Sequence, residues 1–138
     1  MNILVDTSVW SLALRRKGHL PTVDARIRDR LGELIAEGRV RMAGPIRQEL
    51  LSGIRDEQQY VRLRDYLRAF PDEALAREDY EEAARVGNRC RSAGIAGSPV
   101  DHLLCAVALS RHWEIFTSDR DFGRYAKVVS VRLHEPTS

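Results

Sequence analysis

Short apolar runs that alternate with helix-patterned segments constrain this chain more than any other feature. The first, in "NILVD", gives a strand over residues 2–5 that ends at Asp6. "RVRMAG" (39–44), residues 114–117 and "KVVSVRL" (127–133) read as further strands. Between them lie helices. "TSVWSLALRR" carries a hydroxyl cap, and over residues 22–37 Val23, Ile27, Leu31, Leu34 and Ile35 recur at helical spacing. "PIRQELLSG" begins with Pro45 and stops at Gly53; residues 57–70 set Tyr60, Leu63, Tyr66, Leu67 and Phe70 on one face. Further helices are expected over 78–93, with Tyr80, Ala83, Ala84, Gly87 and Cys90 inward, over 99–112, and near 120–126. Such alternation predicts an α/β domain with a mostly parallel sheet between helix layers.

At 138 residues the chain is expected to form a single domain, 1–138, around one core. Nothing approaches the ~18 apolar residues of a membrane span, and the N-terminus lacks the basic region of a signal peptide, so a cytoplasmic protein is expected. Basic and acidic residues number 22 and 20, too balanced for composition alone to imply nucleic-acid binding. Cys90 and Cys105 sit among apolar or small residues, as buried free thiols do; no Cys/His spacing suggests zinc.

Acids occupy the ends of the buried elements. "ILVDTS" places Asp6 after the first strand and "EIFTSD" places Asp119 after a later one. In open α/β sheets sites form beyond the carboxyl ends of the strands, so two parallel central strands would bring these acids to one edge. Ser98, Pro99 and Asp101 fit N-cap, N1 and N3 of the following helix. Asp101 there suits a capping role, which also complements the helix dipole, or a place at the same sheet edge. Glu49 in "PIRQELLSG" reads as a surface residue or as a fourth acid. Two carboxylates ~4 Å apart repel by roughly 4 kcal/mol at an effective dielectric near 20. A cluster of them calls for a hard divalent cation, Mg²⁺ or Mn²⁺, which takes oxygen ligands and can activate water for phosphodiester hydrolysis.

"ILVDTSVW", "IRQELLSG", "SPVDHLLCAVAL" and "FTSDRDF" follow in this order from Ile3 to about Leu133. In this the chain resembles PIN-domain ribonucleases, in particular the VapC-type toxins of bacterial type II toxin–antitoxin pairs. The resemblance implies a three-layer α/β/α sandwich with a parallel sheet of four or five strands. It implies an acidic quartet of Asp6, Glu49, Asp101 and Asp119, with Asp121 as a further metal candidate or a residue that shapes the turn. Thr7, Ser8 and Thr117 would bond the acids, and Phe122 would anchor the next helix. The implied activity is Mg²⁺- or Mn²⁺-dependent cleavage of RNA, leaving 5′-phosphate and 3′-hydroxyl ends. The implied partners are a small antitoxin and a second copy of the chain.

His102 follows Asp101 directly; adjacent helix positions diverge by ~100°, so it is read as a structural residue or an RNA contact and not as a general base. Arg15, Arg16, Lys17, Arg120 and Arg124 are candidates for phosphate contacts or plain solvated surface. Trp10 and Trp113 fit core packing better than base stacking. A receiver domain would need paired acids after the first strand and a Lys after a late one; an aspartyl-phosphate phosphatase would need an acid where Ser8 stands. The alternative of another class is a PIN-like module that binds RNA or a partner without cutting it.

Overall fold

The computed structural model describes residues 1–15 and 20–136. Four strands, β1 (Ile3–Val5), β2 (Val40–Arg41), β3 (Glu114–Phe116) and β4 (Arg132–Leu133), form one sheet in the order β2-β1-β3-β4. Every pairing is parallel, with Val5 opposite Phe116 at the carboxyl end of the central pair. Ile3, Leu4 and Val5 are wholly buried, as a strand covered on both faces must be. Seven helices flank the sheet among the described residues: α1 (Thr7–Arg15), α2 (Thr22–Ala36), α3 (Gly44–Leu51), α4 (Glu57–Leu67), α5 (Arg77–Ser92), α6 (Pro99–Arg111) and α7 (Asp121–Val129). They pack as two groups, α1 with α2 and α3 and α3 with α4, then α5 with α6 and α7.

The strand order positions the site. The chain leaves β1 toward β2 on one side, then returns to place β3 on the other side of β1. The switch point therefore lies between the carboxyl ends of β1 and β3, where a crevice opens in doubly wound sheets. Helix α6 runs beside it; its body is buried continuously from His102 to Ala108, and that packing fixes where its half-exposed amino end stands. That end is capped by Ser98, whose hydroxyl accepts the Asp101 N–H at 3.1 Å, with Pro99 in the first turn.

The structure departs from the sequence expectations in four segments. Residues 127–129 of the expected "KVVSVRL" strand continue α7, and β4 is only Arg132–Leu133. Phe122, Tyr125 and Val129 are buried along one face of α7, and this packing overrides the β-branched propensity of the segment. Ser130 then ends the helix in the left-handed region, φ 60°. On α5 the buried stripe is Asp79, Val86, Gly87 and Cys90; Tyr80 is 57% exposed and Ala84 is exposed rather than inward. The helix is turned so that Asp79 meets Arg111 of α6 at 2.7 Å, a bond stronger than any that Tyr80 would gain inside. Val23 and Tyr66, expected on apolar faces, are 65% and 46% exposed. Trp10 is wholly buried and stacks edge-on against Phe70 at 5.1 Å, Phe122 is wholly buried in the core, and Cys90 and Cys105 are buried free thiols.

Candidate active site

Register dictates what happens at the switch point. Because Val5 pairs with Phe116, Asp6 and Thr117 leave the sheet side by side, and the Asp6 N–H donates to the Phe116 carbonyl at 2.9 Å. The Thr117 hydroxyl donates to Asp6 Oδ2 at 2.9 Å and accepts the Asp119 N–H at 3.0 Å. Ser8 Oγ donates to the same Asp6 oxygen at 2.8 Å and accepts the Ser118 N–H at 3.0 Å. These two hydroxyls lock the end of β1 to the loop after β3. Thr7 does something else: its hydroxyl is buried with no hydrogen-bond partner among the described residues.

Asp119, exposed beyond this lock, accepts the Asp121 N–H at 2.9 Å and so turns the chain into α7. Asp121 stands in the first turn of α7 and pairs with Arg124 at 2.9 Å. Asp101 stands in the first turn of α6. Asp101, Asp119 and Asp121 each offer a carboxylate oxygen, and the three oxygens lie within 4.8 Å of one another. Two helix amino ends point at this group, and their partial positive charge offsets part of the mutual repulsion. It does not offset all of it. Burial pushes the Asp101 carboxyl above its usual range; the charges of Asp6 and Asp119 add to that rise, while hydrogen bonds from Tyr125 and Ser98 oppose it.

All donors in the group are carboxylate oxygens, the set that hard divalent cations prefer. The spacing suits one ion shared among the three carboxylates. Asp6 lies outside the trio but is buried and near enough to act on Asp101 through its charge. Glu49 is apart from them. It is exposed on α3, on the wall of a cavity of about 440 Å³ that it shares with Thr7, Ser11, Pro45, Gln48, Ser52 and Val100. That cavity adjoins the acids through Thr7, next to Asp6, and Val100, next to Asp101.

Of the basic candidates, Arg120 is exposed at the amino end of α7 and Arg124 is engaged by Asp121. Arg16, Lys17 and the side chain of Arg15 lie outside the described residues. His102 is buried between α5 and α7, its ring edge-on to Tyr125 at 5.8 Å, a structural position. Sequence reasoning missed Tyr125, whose hydroxyl donates to Asp101 Oδ2 at 2.7 Å. The available signal was its position four residues after Asp121, one turn further along the same helix face.

A family model described as "PIN domain" matches residues 3–128. The chain is 30% identical over 137 residues to VapC ribonuclease Mb1587 of Mycobacterium bovis and to Ribonuclease VapC11 of Mycobacterium tuberculosis, spanning 94% of this chain and 96% of each relative. Among solved structures, FitAcB from Neisseria gonorrhoeae superposes with a TM-score of 0.76 at 20% identity, covering 98% of both chains. A DNA-bound VapBC from Salmonella typhimurium gives 0.74 at 14% identity, covering 99% of this chain and 98% of that one. These two likenesses are of fold: a parallel sheet between helices. With the family model over most of its length and the VapC relatives over nearly all of it, the chain belongs to the PIN-domain family, in the VapC group.

Proposed function

We propose that this protein is a Mg²⁺- or Mn²⁺-dependent endoribonuclease and the toxin of a toxin–antitoxin pair. The observation that carries the reading is the group of three carboxylate oxygens from Asp101, Asp119 and Asp121 within 4.8 Å, set at the switch point of the sheet. The kinship with proteins named VapC ribonucleases supports RNA as the substrate and a small antitoxin as a partner. The fold neighbours titled VapBC support that partner class, and a second copy of the chain is the further partner we infer. The whole chain acts as one catalytic domain in the cytoplasm; no described helix is long and apolar enough to cross a membrane.

When bound, the ion supplies Lewis acidity that activates water and stabilises the departing oxygen. Asp101, Asp119 and Asp121 would hold it, with Asp6 beside them as a further ligand. Asp6, fixed by Ser8 and Thr117, keeps the two strand ends in register and adds negative charge beside the ion. Glu49, across the adjoining cavity, either joins the ligand set or orients the attacking water. Arg120, exposed at the amino end of α7, would meet a phosphate of the RNA. Because water is the nucleophile, the 2′-hydroxyl takes no part.

The test is end-group analysis of the products after incubation of antitoxin-free protein with total RNA and Mg²⁺ or Mn²⁺. Discrete fragments bearing 5′-phosphate and 3′-hydroxyl ends are expected. A 2′,3′-cyclic phosphate would exclude the water mechanism. Intact RNA with tight RNA binding retained would instead favour a non-catalytic binding module.

A further inference from the structure

The buried hydroxyl of Tyr125 has a job that packing alone does not explain. The Tyr125 ring is wholly buried, edge-on to Phe122 at 5.2 Å and to His102 at 5.8 Å. Its single polar atom donates to Asp101 Oδ2 at 2.7 Å, a well-formed O–H···O bond. The backbone closes over it: a Cβ at Gly97 would lie 2.8 Å from that hydroxyl and 2.6 Å from His102 Nε2. His102 is wedged in turn, since a Cβ at Gly87 would lie 2.8 Å from its Nδ1. Gly97 and His102 therefore crowd the hydroxyl closely on the side away from Asp101, and a phenylalanine in the core would have served the packing equally well.

We infer that Tyr125 is a positioning residue for the metal centre: its hydroxyl fixes the orientation of the Asp101 carboxylate so that the ion meets a preformed ligand. The inference rests on the metal-centre reading above. A carboxylate held at one oxygen cannot rotate freely about its last torsion, so its other oxygen keeps one direction. α7 thus contributes to the site twice, through Asp121 in its first turn and through Tyr125 one turn later. Asp121 brings charge, whereas Tyr125 brings direction.

The test is a Mn²⁺ titration followed by electron paramagnetic resonance on the full chain, wild type against Tyr125→Phe, with melting temperatures of both in EDTA. Tyr125→Phe keeps the ring and removes only the hydroxyl. Mn²⁺ affinity at least about tenfold weaker is expected, with the melting temperature in EDTA close to that of wild type. Gly97→Ala, which displaces the same hydroxyl from the other side, is expected to weaken Mn²⁺ binding as well. Equal affinity in wild type and Tyr125→Phe overturns the inference. So does a loss of affinity seen only where the EDTA melt shows the variant partly unfolded at the assay temperature. Absence of Mn²⁺ binding by wild type would overturn the metal centre itself, a different outcome.

Discussion

Single hydroxyls and carboxylates carry the site. Thr117 both donates to Asp6 and accepts from the Asp119 backbone, so one oxygen joins the ends of β1 and β3. Replacing it by valine keeps the shape and removes both bonds. Thr117→Val is expected to cost about 1 kcal/mol of stability and to lower RNA cleavage by about 10-fold or more, read by a denaturant melt and by initial rates. Asp101 behaves in the opposite sense for stability. Its carboxyl is raised by burial first and by Asp6 and Asp119 next, so its charge costs stability at neutral pH, and that cost fades as the pH falls through its folded value. Asp101→Asn is therefore expected to raise the melting temperature in EDTA at neutral pH, and the gain should fade as the pH falls. It should also abolish the stabilisation that wild type gains from Mn²⁺. A lower melting temperature would show that the carboxylate's favourable contacts with the α6 amino end and Tyr125 outweigh the repulsion. The acids at strand ends were legible in the sequence because Asp terminates apolar runs there. Tyr125 was missed, because an aromatic on a helix face reads as core, its hydroxyl's partner is 24 residues away, and the one signal was its place a turn after Asp121.

Among the elements, α6 is held at both ends by polar bonds. Ser98 caps its start, and Ser98→Ala is expected to cost about 1 kcal/mol, with the larger loss falling on metal affinity because Asp101 stands in the capped turn. At its other end Arg111 binds Asp79 at 2.7 Å, bonds Glu73, and donates to the Ala74 carbonyl. This clamp fixes α5 and the loop before it against α6. The Arg111 hydrogen bond holds the Asp79 carboxyl below its ordinary 3.8, against the opposing effect of burial. A lowered carboxyl adds stability that is complete above its unfolded value and is lost as the pH falls through the folded one. Arg111→Met is expected to destabilise by about 2 kcal/mol at pH 7, and its deficit relative to wild type should shrink below about pH 4. A deficit independent of pH would mean that the lost packing over Trp113, not the ion pair, carries the effect. The same clamp explains why the inward face of α5 was misread: hydropathy favours Tyr80 over Asp79, and only the partner on α6 reverses the choice. On α7 the run "KVV" reads as strand by propensity, and the burial of Phe122, Tyr125 and Val129 along one face makes it helix.

At the scale of the molecule, strands of two or three residues suffice because the sheet is needed mainly to set register. The alternation of apolar runs and helices was enough to read a parallel α/β fold, and four parallel strands are what the structure has. Which strands are neighbours was not legible, since the order β2-β1-β3-β4 depends on crossovers that no local pattern encodes. That order makes β1 and β3 adjacent and brings Asp6, Asp101, Asp119 and Asp121 to one edge. Glu49 is the acid the fold leaves apart, exposed across a cavity, where only a bound ion, a water or a substrate would link it to the others. The central claim is that this convergence of acids forms a metal centre that hydrolyses RNA. Its most direct measurement is the RNA cleavage rate of antitoxin-free wild type and of Asp101→Asn as Mn²⁺ is titrated from EDTA upward. The account expects no cleavage in EDTA, a saturable rise for wild type, and no detectable cleavage by Asp101→Asn at any Mn²⁺ concentration. Cleavage that persists in EDTA, or that Asp101→Asn retains at the wild-type rate, would contradict it.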